Sequence, residues 1–363
     1  MEMVIAMTGA GIIALLIATI LTPVVIRVSH RRRWFDMPNE RKIHTSPIPR
    51  LGGIGIFFAF VISALAVPLL LPVIAPGPWP AEYSLRFVPV FLAFGLIHLL
   101  GLLDDFRNLH ALLKFSLQIV AAALVVLGGF TISEVNIPSV GTFSLGIGAW
   151  PITLLWIIAI SNAVNFVDGI DGLAGGIAAI AALAMGVSAY LVGNGTPAVM
   201  AFALLGATLG FLLFNYPPAR IFMGDSGSLL LGFTLAVIPL VKTSGGVALG
   251  DMLAPATVLA VPILDMVTAI VRRVREKRAI YSPDKEHIHH KLLALGLKDT
   301  SILVIIYALC LYLAAGSIAS LFLPRMHALI LLAVVWATAI LGYAILNGIK
   351  QKRKALQAPL ARQ

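Results

Sequence analysis

Long apolar runs separated by short polar joints leave this chain few folds to adopt. Eleven runs can be drawn, near residues 4–26, 52–74, 87–103, 115–130, 150–164, 173–192, 198–214, 228–241, 252–271, 301–323 and 328–348. In lipid every backbone N–H and C=O must find a partner inside the protein, so repeated runs of this kind cross a membrane as helices. Several are shorter than the roughly 20 residues a straight crossing needs. Their ends are therefore expected inside protein or beside a wet cavity. With 60% hydrophobic and only 12% charged residues, the chain reads as an all-α polytopic membrane protein of about eleven transmembrane helices. No repeat or low-complexity linker divides it, so residues 1–363 form one membrane-embedded domain.

The basic residues orient it. The first run lacks a basic leader, and Arg31, Arg32 and Arg33 follow it. It reads as an uncleaved helix with its N-terminus outside. Alternation then puts loops 27–51, 104–114, 162–172, 215–227 and 272–300 and the basic tail 349–363 in the cytoplasm. Of the 26 Lys and Arg, only Arg86, Lys242 and Arg325 fall on the other side. The net charge of +10 is thus a one-sided field suited to anionic headgroups and anionic substrates. No soluble module remains to bind nucleic acid. Cys310 is the single cysteine, which excludes an intrachain disulfide and a cysteine metal cluster. The outer segment 131–146, with β-branched residues and turn formers, predicts a hairpin.

Acidic residues at membrane edges are functional suspects. GLLDDF places Asp104 and Asp105 side by side at the end of a run. In NAVNFVDGIDGLAGG, residues 162–176, Asn162, Asn165, Asp168 and Asp171 recur at every third position. Successive members are neighbours on a helix surface, and an N-capping role explains one or two of them but hardly four. Gly169 and Gly172 loosen the helix there. In FNYPPARIFMGDSGSLLLG, residues 214–232, Pro217-Pro218 prevents a regular helix, Arg220 is a lone cation, and Asp225 precedes a small-residue turn and a new run. Asp225 is a natural N-cap; a helix N-terminus beside such a turn also suits phosphate. Asp225 with Asn215 or Asn165 suits a hard cation. The segment 272–296 carries His287, His289 and His290 among many Arg and Lys. Their spacing is not that of a helical zinc pair; phosphate or a polar headgroup suits them better. Asp265 lies in the ninth run, nearly two helical turns before Arg272, and is expected to be structural or to support another residue.

In order and on one face, LLDDF, NAVNFVDGIDGLAGG, FNYPPARIFMGDSGSLLLG and HIHHKLLALG resemble the motifs of the polyprenyl-phosphate N-acetylhexosamine-1-phosphate transferases (glycosyltransferase family 4). RKIHTSPIPRLGGIGI, 41–56, fits their first inner loop, so the resemblance spans roughly 41–296. It is nearest the WecA and TagO branch, which uses UDP-N-acetylglucosamine. Where the MraY branch, acting on UDP-MurNAc-pentapeptide, has a lysine three residues after the aspartate pair, this chain has Asn108.

The resemblance implies transfer of N-acetylglucosamine 1-phosphate from UDP-N-acetylglucosamine to undecaprenyl phosphate, with UMP released. That would be the first membrane step of lipopolysaccharide, other envelope polysaccharide or teichoic acid synthesis, at the bacterial cytoplasmic membrane. By the same resemblance Asp104, Asp105 and Asp225 are catalytic, and Asn165 with Asp225 holds Mg²⁺, for which Mn²⁺ substitutes. Lys114 contacts phosphate, with Gln118 one turn beyond. Asp168 and Asp171 line the nucleotide pocket, and His287, His289 and His290 serve the substrate site. From the polar motifs themselves, Asn162, Asn215 and Arg220 join the expected substrate-binding set. The partners are the UDP-sugar, the polyprenyl phosphate and the bilayer, with a homodimer also allowed.

A phosphate monoester has a second pKa near 6, so at pH 7 the attacking lipid phosphate is mostly dianionic. It needs charge neutralisation and in-line alignment more than a base. Mg²⁺ suits that task, since it binds one or two carboxylates plus substrate phosphates. A covalent aspartyl-phosphate route is the mechanistic alternative. The same chemistry on another UDP-N-acetylhexosamine is the nearest alternative function. A secondary transporter predicts polar residues near mid-bilayer and repeat symmetry, whereas these residues gather at helix ends. An intramembrane aspartyl protease fails at Phe222, where its GxGD signature needs glycine.

Overall fold

The computed structural model describes residues 1–36, 47–74, 86–137, 140–242, 246–279, 282, 284 and 286–357. Residues 41–46 of the first inner loop, Lys285 and the end of the basic tail, 358–363, lie outside the described residues. Among the described residues thirteen α-helices follow one another: α1 Glu2–Arg32, α2 Gly53–Ile74, α3 Phe87–Arg107, α4 Ala111–Leu127, α5 Ala149–Phe166, α6 Leu173–Leu191, α7 Gly195–Asn215, α8 Gly224–Val237, α9 Leu253–Val258, α10 Ala260–Arg275, α11 Ile288–Ala294, α12 Asp299–Ser320 and α13 Arg325–Gln357.

Every apolar run meets a helix, but not every helix is long enough to cross. By length and composition seven of the described helices qualify, or eight if α9 and α10 count as one broken span. The shortfall from the expected eleven lies in α2, whose described apolar part is Gly53–Ala66, and in the short helices α4 and α8. The run at 252–271 is not one helix: α9 and α10 meet at 94°. The structure is mostly helical and polytopic, with small sheets that an all-α description omits. β1 (Phe35–Asp36) pairs antiparallel with β2 (Ile48–Pro49). β3 (Ile132–Ile137) pairs antiparallel with β4 (Gly141–Ser144), so the hairpin expected at 131–146 forms. β5 (Val247–Ala248) adds to β3 in parallel.

Lipid gives helices no hydrophobic reason to associate, so close packing of small residues has to do it. α1 buries Ala6, Ala10, Ala14 and Ala18, one residue per turn. Against that stripe α7 sets Gly206 and Gly210; a Cβ on Gly210 would stand 2.7 Å from the Ala18 methyl and the Leu15 carbonyl. α8 is the central post, with every residue from Ser226 to Val237 buried. Its flanks are α3, α5 and α2. α1 and α13 keep apolar faces exposed, as lipid-facing helices do.

The C-terminal ends of α3, α5, α7 and α10 and the N-terminal ends of α4, α6 and α8 supply the acidic motifs. At the opposite ends Ile132 of β3 binds Thr153 near the start of α5 at 2.9 Å, and Arg325 at the start of α13 reaches the Asn136 carbonyl at 3.0 Å. The bundle therefore has a motif-bearing face and a face carrying the three-stranded sheet.

Candidate active site

The paired aspartates point to different partners because neighbours on a helix lie about 100° apart. Asp105 faces the start of α8. Its Oδ1 accepts the Asp225 N–H at 2.9 Å and its Oδ2 the Ser226 N–H at 3.1 Å. These are donors that a helix N-terminus leaves unpaired, and a carboxylate there also meets the positive end of the helix dipole. The joint is tight. A Cβ on Gly101 of α3 would lie 2.5 Å from the Ser226 nitrogen, and Gly224, at φ +69°, adopts a left-handed turn that L side chains disfavour. Arg50 adds a distant charge, its Nε 3.9 Å from Asp105. Asp105 is thus a cap supplied by another helix, and it fixes where Asp225 begins.

Asp104 faces the site. Its Oδ1 accepts the Leu109 N–H at 2.6 Å, and Lys114 pairs with it. α3 ends at Asn108 in the left-handed region, φ 48°, which Asn tolerates better than most residues. That turn folds α4 back so that Lys114 reaches both Asp104 and Asp225, the latter at 3.1 Å. The Asn108 that sets this chain apart from the MraY pattern therefore has a backbone role here.

Asn165, in the last turn of α5, donates to Asp225 Oδ1 at 3.2 Å and to Ser228 Oγ at 2.8 Å. Among the described residues no three His, Cys, Asp or Glu side chains converge as a metal cage. Asp225 with Asn165 still fits a cation such as Mg²⁺, which needs few protein ligands when substrate phosphates supply the rest. An amide turned end for end offers its oxygen beside Asp225, and the Ser228 hydroxyl can rotate to donate to it. Lys114 already shows that Asp225 accepts positive charge.

The loop between α5 and α6 is held from several sides. Asp171 accepts the Ala219 N–H at 2.9 Å. Asn215 accepts the Gly172 N–H at 3.0 Å and donates to the Ile221 carbonyl at 2.8 Å, and Tyr307 of α12 donates to the Gly172 carbonyl at 2.6 Å. Buried, with its amide bonded at both ends, Asn215 ties two loops together. Asn162 donates to Gln118 at 2.6 Å and to the Ile158 carbonyl at 2.8 Å. It links α5 to α4 below the site. Asp168 is pushed up to about 8, chiefly by burial and then by the charges of Asp225, Asp105 and Asp171. Arg220 is exposed and stands 5.6 Å over Phe214 at the rim.

The histidine segment packs onto this loop. His289 is 2% exposed and rests against Gly169, where any side chain would run into its ring. Both its ring nitrogens lack a partner among the described residues. Burial, then the charge of His290, lower it to about 3, so it is neutral. A neutral ring can offer phosphate or a polar headgroup a hydrogen bond but no charge. His290 lies 4.2 Å from His289 by ring centroid. The His287 ring lies 5.8 Å from that of Phe166, tilted by 52°, beside Asn165, and Arg273 covers the same Phe166 at 5.4 Å. Arg272 pairs with Asp284; burial pushes that carboxyl up, but Arg272 brings it below the usual range. Asp265 does not pair with Arg272 but binds His287 at 2.7 Å.

Sequence reasoning missed the Asp105 cap, Ser228, Tyr307, Phe166 and the Asp265–His287 pair. Only the small residues at 101, 224, 226 and 227 hinted at the first. The others depend on contacts between distant helices.

The model of glycosyl transferase family 4 matches residues 87–243, which include Asp104 through Asp225 but not the histidine segment. The chain is 35% identical over 307 residues to the probable undecaprenyl-phosphate N-acetylglucosaminyl 1-phosphate transferase of Bacillus subtilis, covering 84% of this chain and 82% of that one. It is 37% identical over 350 residues to the decaprenyl-phosphate N-acetylglucosaminephosphotransferase of Mycobacterium tuberculosis, with 90% and 85% covered. It is 30% identical over 282 residues to the undecaprenyl-phosphate alpha-N-acetylglucosaminyl 1-phosphate transferase of Yersinia pestis, with 75% and 72% covered.

Proposed function

The chain belongs to glycosyl transferase family 4 and transfers N-acetylglucosamine 1-phosphate to a polyprenyl phosphate, and from that premise we propose the donor, the lipid, the cation and the role of each site residue. The donor is UDP-N-acetylglucosamine and the acceptor undecaprenyl phosphate. The products are UMP and undecaprenyl-diphospho-N-acetylglucosamine. One arrangement supports this reading above the rest: Lys114 stands between Asp104 and Asp225, with Asn165 on the far oxygen of Asp225.

Both reactants are anions, and the attacking phosphate is already mostly ionised at pH 7. The site's task is to bring the anions together and hold them in line. Lys114 supplies a fixed cation at the meeting point. Asp225 and Asn165 would hold Mg²⁺, which would supply charge neutralisation to the diphosphate. Asp104, already in contact with Lys114, orients the lipid phosphate and takes its remaining proton when there is one. Asp105 acts through α8, by holding Asp225 in place. Asp104, Asp105 and Asp225 each have protein donors on their oxygens. That favours positioning over an aspartyl-phosphate intermediate. Asp168, Asp171 and the histidine segment wall the pocket for the nucleotide sugar.

In this reading the motif-bearing face is cytoplasmic, and the polypeptide crosses the bacterial inner membrane eleven times with its N-terminus outside. The basic residues gathered on that face support it. So do the chain directions, since the successive apolar helices alternate between the two faces, with α9 and α10 counted together. The short helix α8 crosses because protein, not lipid, surrounds it. The polyprenyl chain stays in the bilayer while its phosphate reaches Lys114. The test is to incubate membranes holding the protein with radiolabelled UDP-N-acetylglucosamine, undecaprenyl phosphate and Mg²⁺, with UDP-N-acetylgalactosamine in parallel. Label passing into the organic phase with UMP formed supports the reading; label left in water overturns it. Equal use of both sugars overturns the choice of donor.

A further inference from the structure

Asp265 takes no part in the contacts among Asp104, Lys114 and Asp225, yet it is 0% exposed. A carboxylate that has left water must have its acceptor sites filled. Three donors fill these. His287 Nδ1 lies 2.7 Å from Oδ2, the Ile288 N–H donates to Oδ1 at 2.8 Å, and the Tyr343 hydroxyl donates to Oδ1 at 3.1 Å. An ionised carboxylate only accepts, so Nδ1 of His287 carries its proton. That leaves Nε2 as the ring nitrogen available to a substrate.

The cluster is braced from the last long helix. Tyr343 of α13 receives Lys291 Nζ at 2.8 Å and lies 2.7 Å from Thr268 Oγ1. Between Tyr343 and Thr268 either hydroxyl can donate, and Asp265 Oδ1 lies within reach of the Tyr343 proton at 3.1 Å. Lys291 is 2% exposed and stands 4.2 Å over the Tyr343 ring, which sets a cation near the buried carboxylate. Thus α10, α11 and α13 are locked around one imidazole. That imidazole is tied in turn to Phe166, the residue after Asn165.

The geometry points to Asp265 as a positioning residue for the transfer reaction, holding His287 in its Nδ1-protonated form with Nε2 presented to the donor's diphosphate, and to Tyr343 as the brace that holds Asp265. The assignment rests on the proposed function, in which the histidine segment serves the nucleotide sugar. It concerns orientation: a carboxylate behind an imidazole fixes the ring and its tautomer, and partners of that kind are worth about 10–100-fold where they have been removed behind metal-bound histidines.

The experiment is a double-mutant cycle on the full-length protein in detergent, with kcat/KM for UDP-N-acetylglucosamine as readout. Asp265→Asn is expected to lower kcat/KM about 10–100-fold and His287→Ala by at least as much. The double variant falls no further than His287→Ala alone. Tyr343→Phe gives a smaller loss in the wild-type background and none beside His287→Ala. A purely structural Asp265 would cost the same factor in both backgrounds, and that result overturns the assignment. So does an Asp265→Asn protein with unchanged kcat/KM. If Asp265→Asn does not accumulate folded, Tyr343→Phe carries the cycle. If His287→Ala falls below detection, the cycle is read from the UDP-N-acetylglucosamine concentration that half-saturates thermal stabilisation. Wild-type protein that forms neither UMP nor lipid product overturns the transfer reading itself, whereas wild-type turnover with additive losses overturns the Asp265 assignment alone.

Discussion

Asp105→Asn separates the two aspartates by the kind of damage it does. Asp105 is 8% exposed and gives one oxygen to each of two N–H groups at the start of α8. Asparagine keeps one acceptor oxygen and turns an NH₂ toward the other N–H. One charge-assisted bond is lost, which costs about 1.5–3 kcal/mol. Loss of the negative charge at the helix N-terminus adds about 0.3–1 kcal/mol. The sum is roughly 2–4 kcal/mol. For a domain of 150–250 residues about 1 kcal/mol moves Tm by roughly 2–4 °C, and less in a longer chain, so a fall of roughly 3–8 °C is expected. The assay is thermal unfolding of purified protein in one detergent, with and without substrates, beside Asp104→Asn. Asp104→Asn should lose most turnover but melt closer to wild type, since Lys114 keeps Asp225 as a partner. An Asp105→Asn protein that melts with wild type yet is inactive would refute the capping role, and so would a lower Tm for Asp104→Asn than for Asp105→Asn.

Lys114→Met removes the cation between two carboxylates; UMP release should fall by about 10²–10³-fold, as when one fixed electrostatic partner of a transition state is lost. An unchanged rate would remove Lys114 from the reaction. In ligand-free protein the raised Asp168 pKa of about 8 makes this group's contribution greatest below its ordinary value and lost as pH rises toward 8. Asp168→Asn should therefore gain Tm relative to wild type between pH 5 and pH 9, and parallel Tm curves for the two proteins would contradict the shift. Asp225→Ala should abolish the Mg²⁺ dependence along with turnover. Mg²⁺-dependent wild-type rates in that variant would displace the metal site. Tyr307→Phe removes one bond to the Gly172 carbonyl and should cost about 1 kcal/mol of stability, read by denaturation, with little change in KM.

Much of this molecule could be read from the sequence because lipid permits so little. Each apolar run became helix, since no other element satisfies its backbone there, and the hairpin at 131–146 followed from β-branched residues beside turn formers. What periodicity could not give was the break between α9 and α10 or the shortness of α4 and α8. For α8 the reason is that protein replaces lipid all around it. The motifs placed Asp104, Asp225, Asn165 and Lys114 on one face, and the structure brings these four into contact. The division of labour inside Asp104–Asp105 was hidden, because it depends on which neighbouring helix lies against each side of α3. Asn162 and Asn215 looked like ligands for their spacing and polarity. Their amides are committed to Gln118 and to the Gly172–Ile221 loops, which only the packed structure reveals. The burial of His289 was hidden as well, because it packs on Gly169, more than a hundred residues earlier in the chain.

The central claim is that a phosphate moves with the sugar at the site built by Asp104, Lys114, Asn165 and Asp225. It is tested most directly with UDP-N-acetylglucosamine carrying ³²P at the β-phosphate and ³H in the sugar, given to purified protein with undecaprenyl phosphate and Mg²⁺. Both labels should reach the lipid phase in a one-to-one ratio as UMP is released, and neither should do so in Asp225→Ala. Tritium arriving in the lipid without ³²P, with UDP as the by-product, would contradict it.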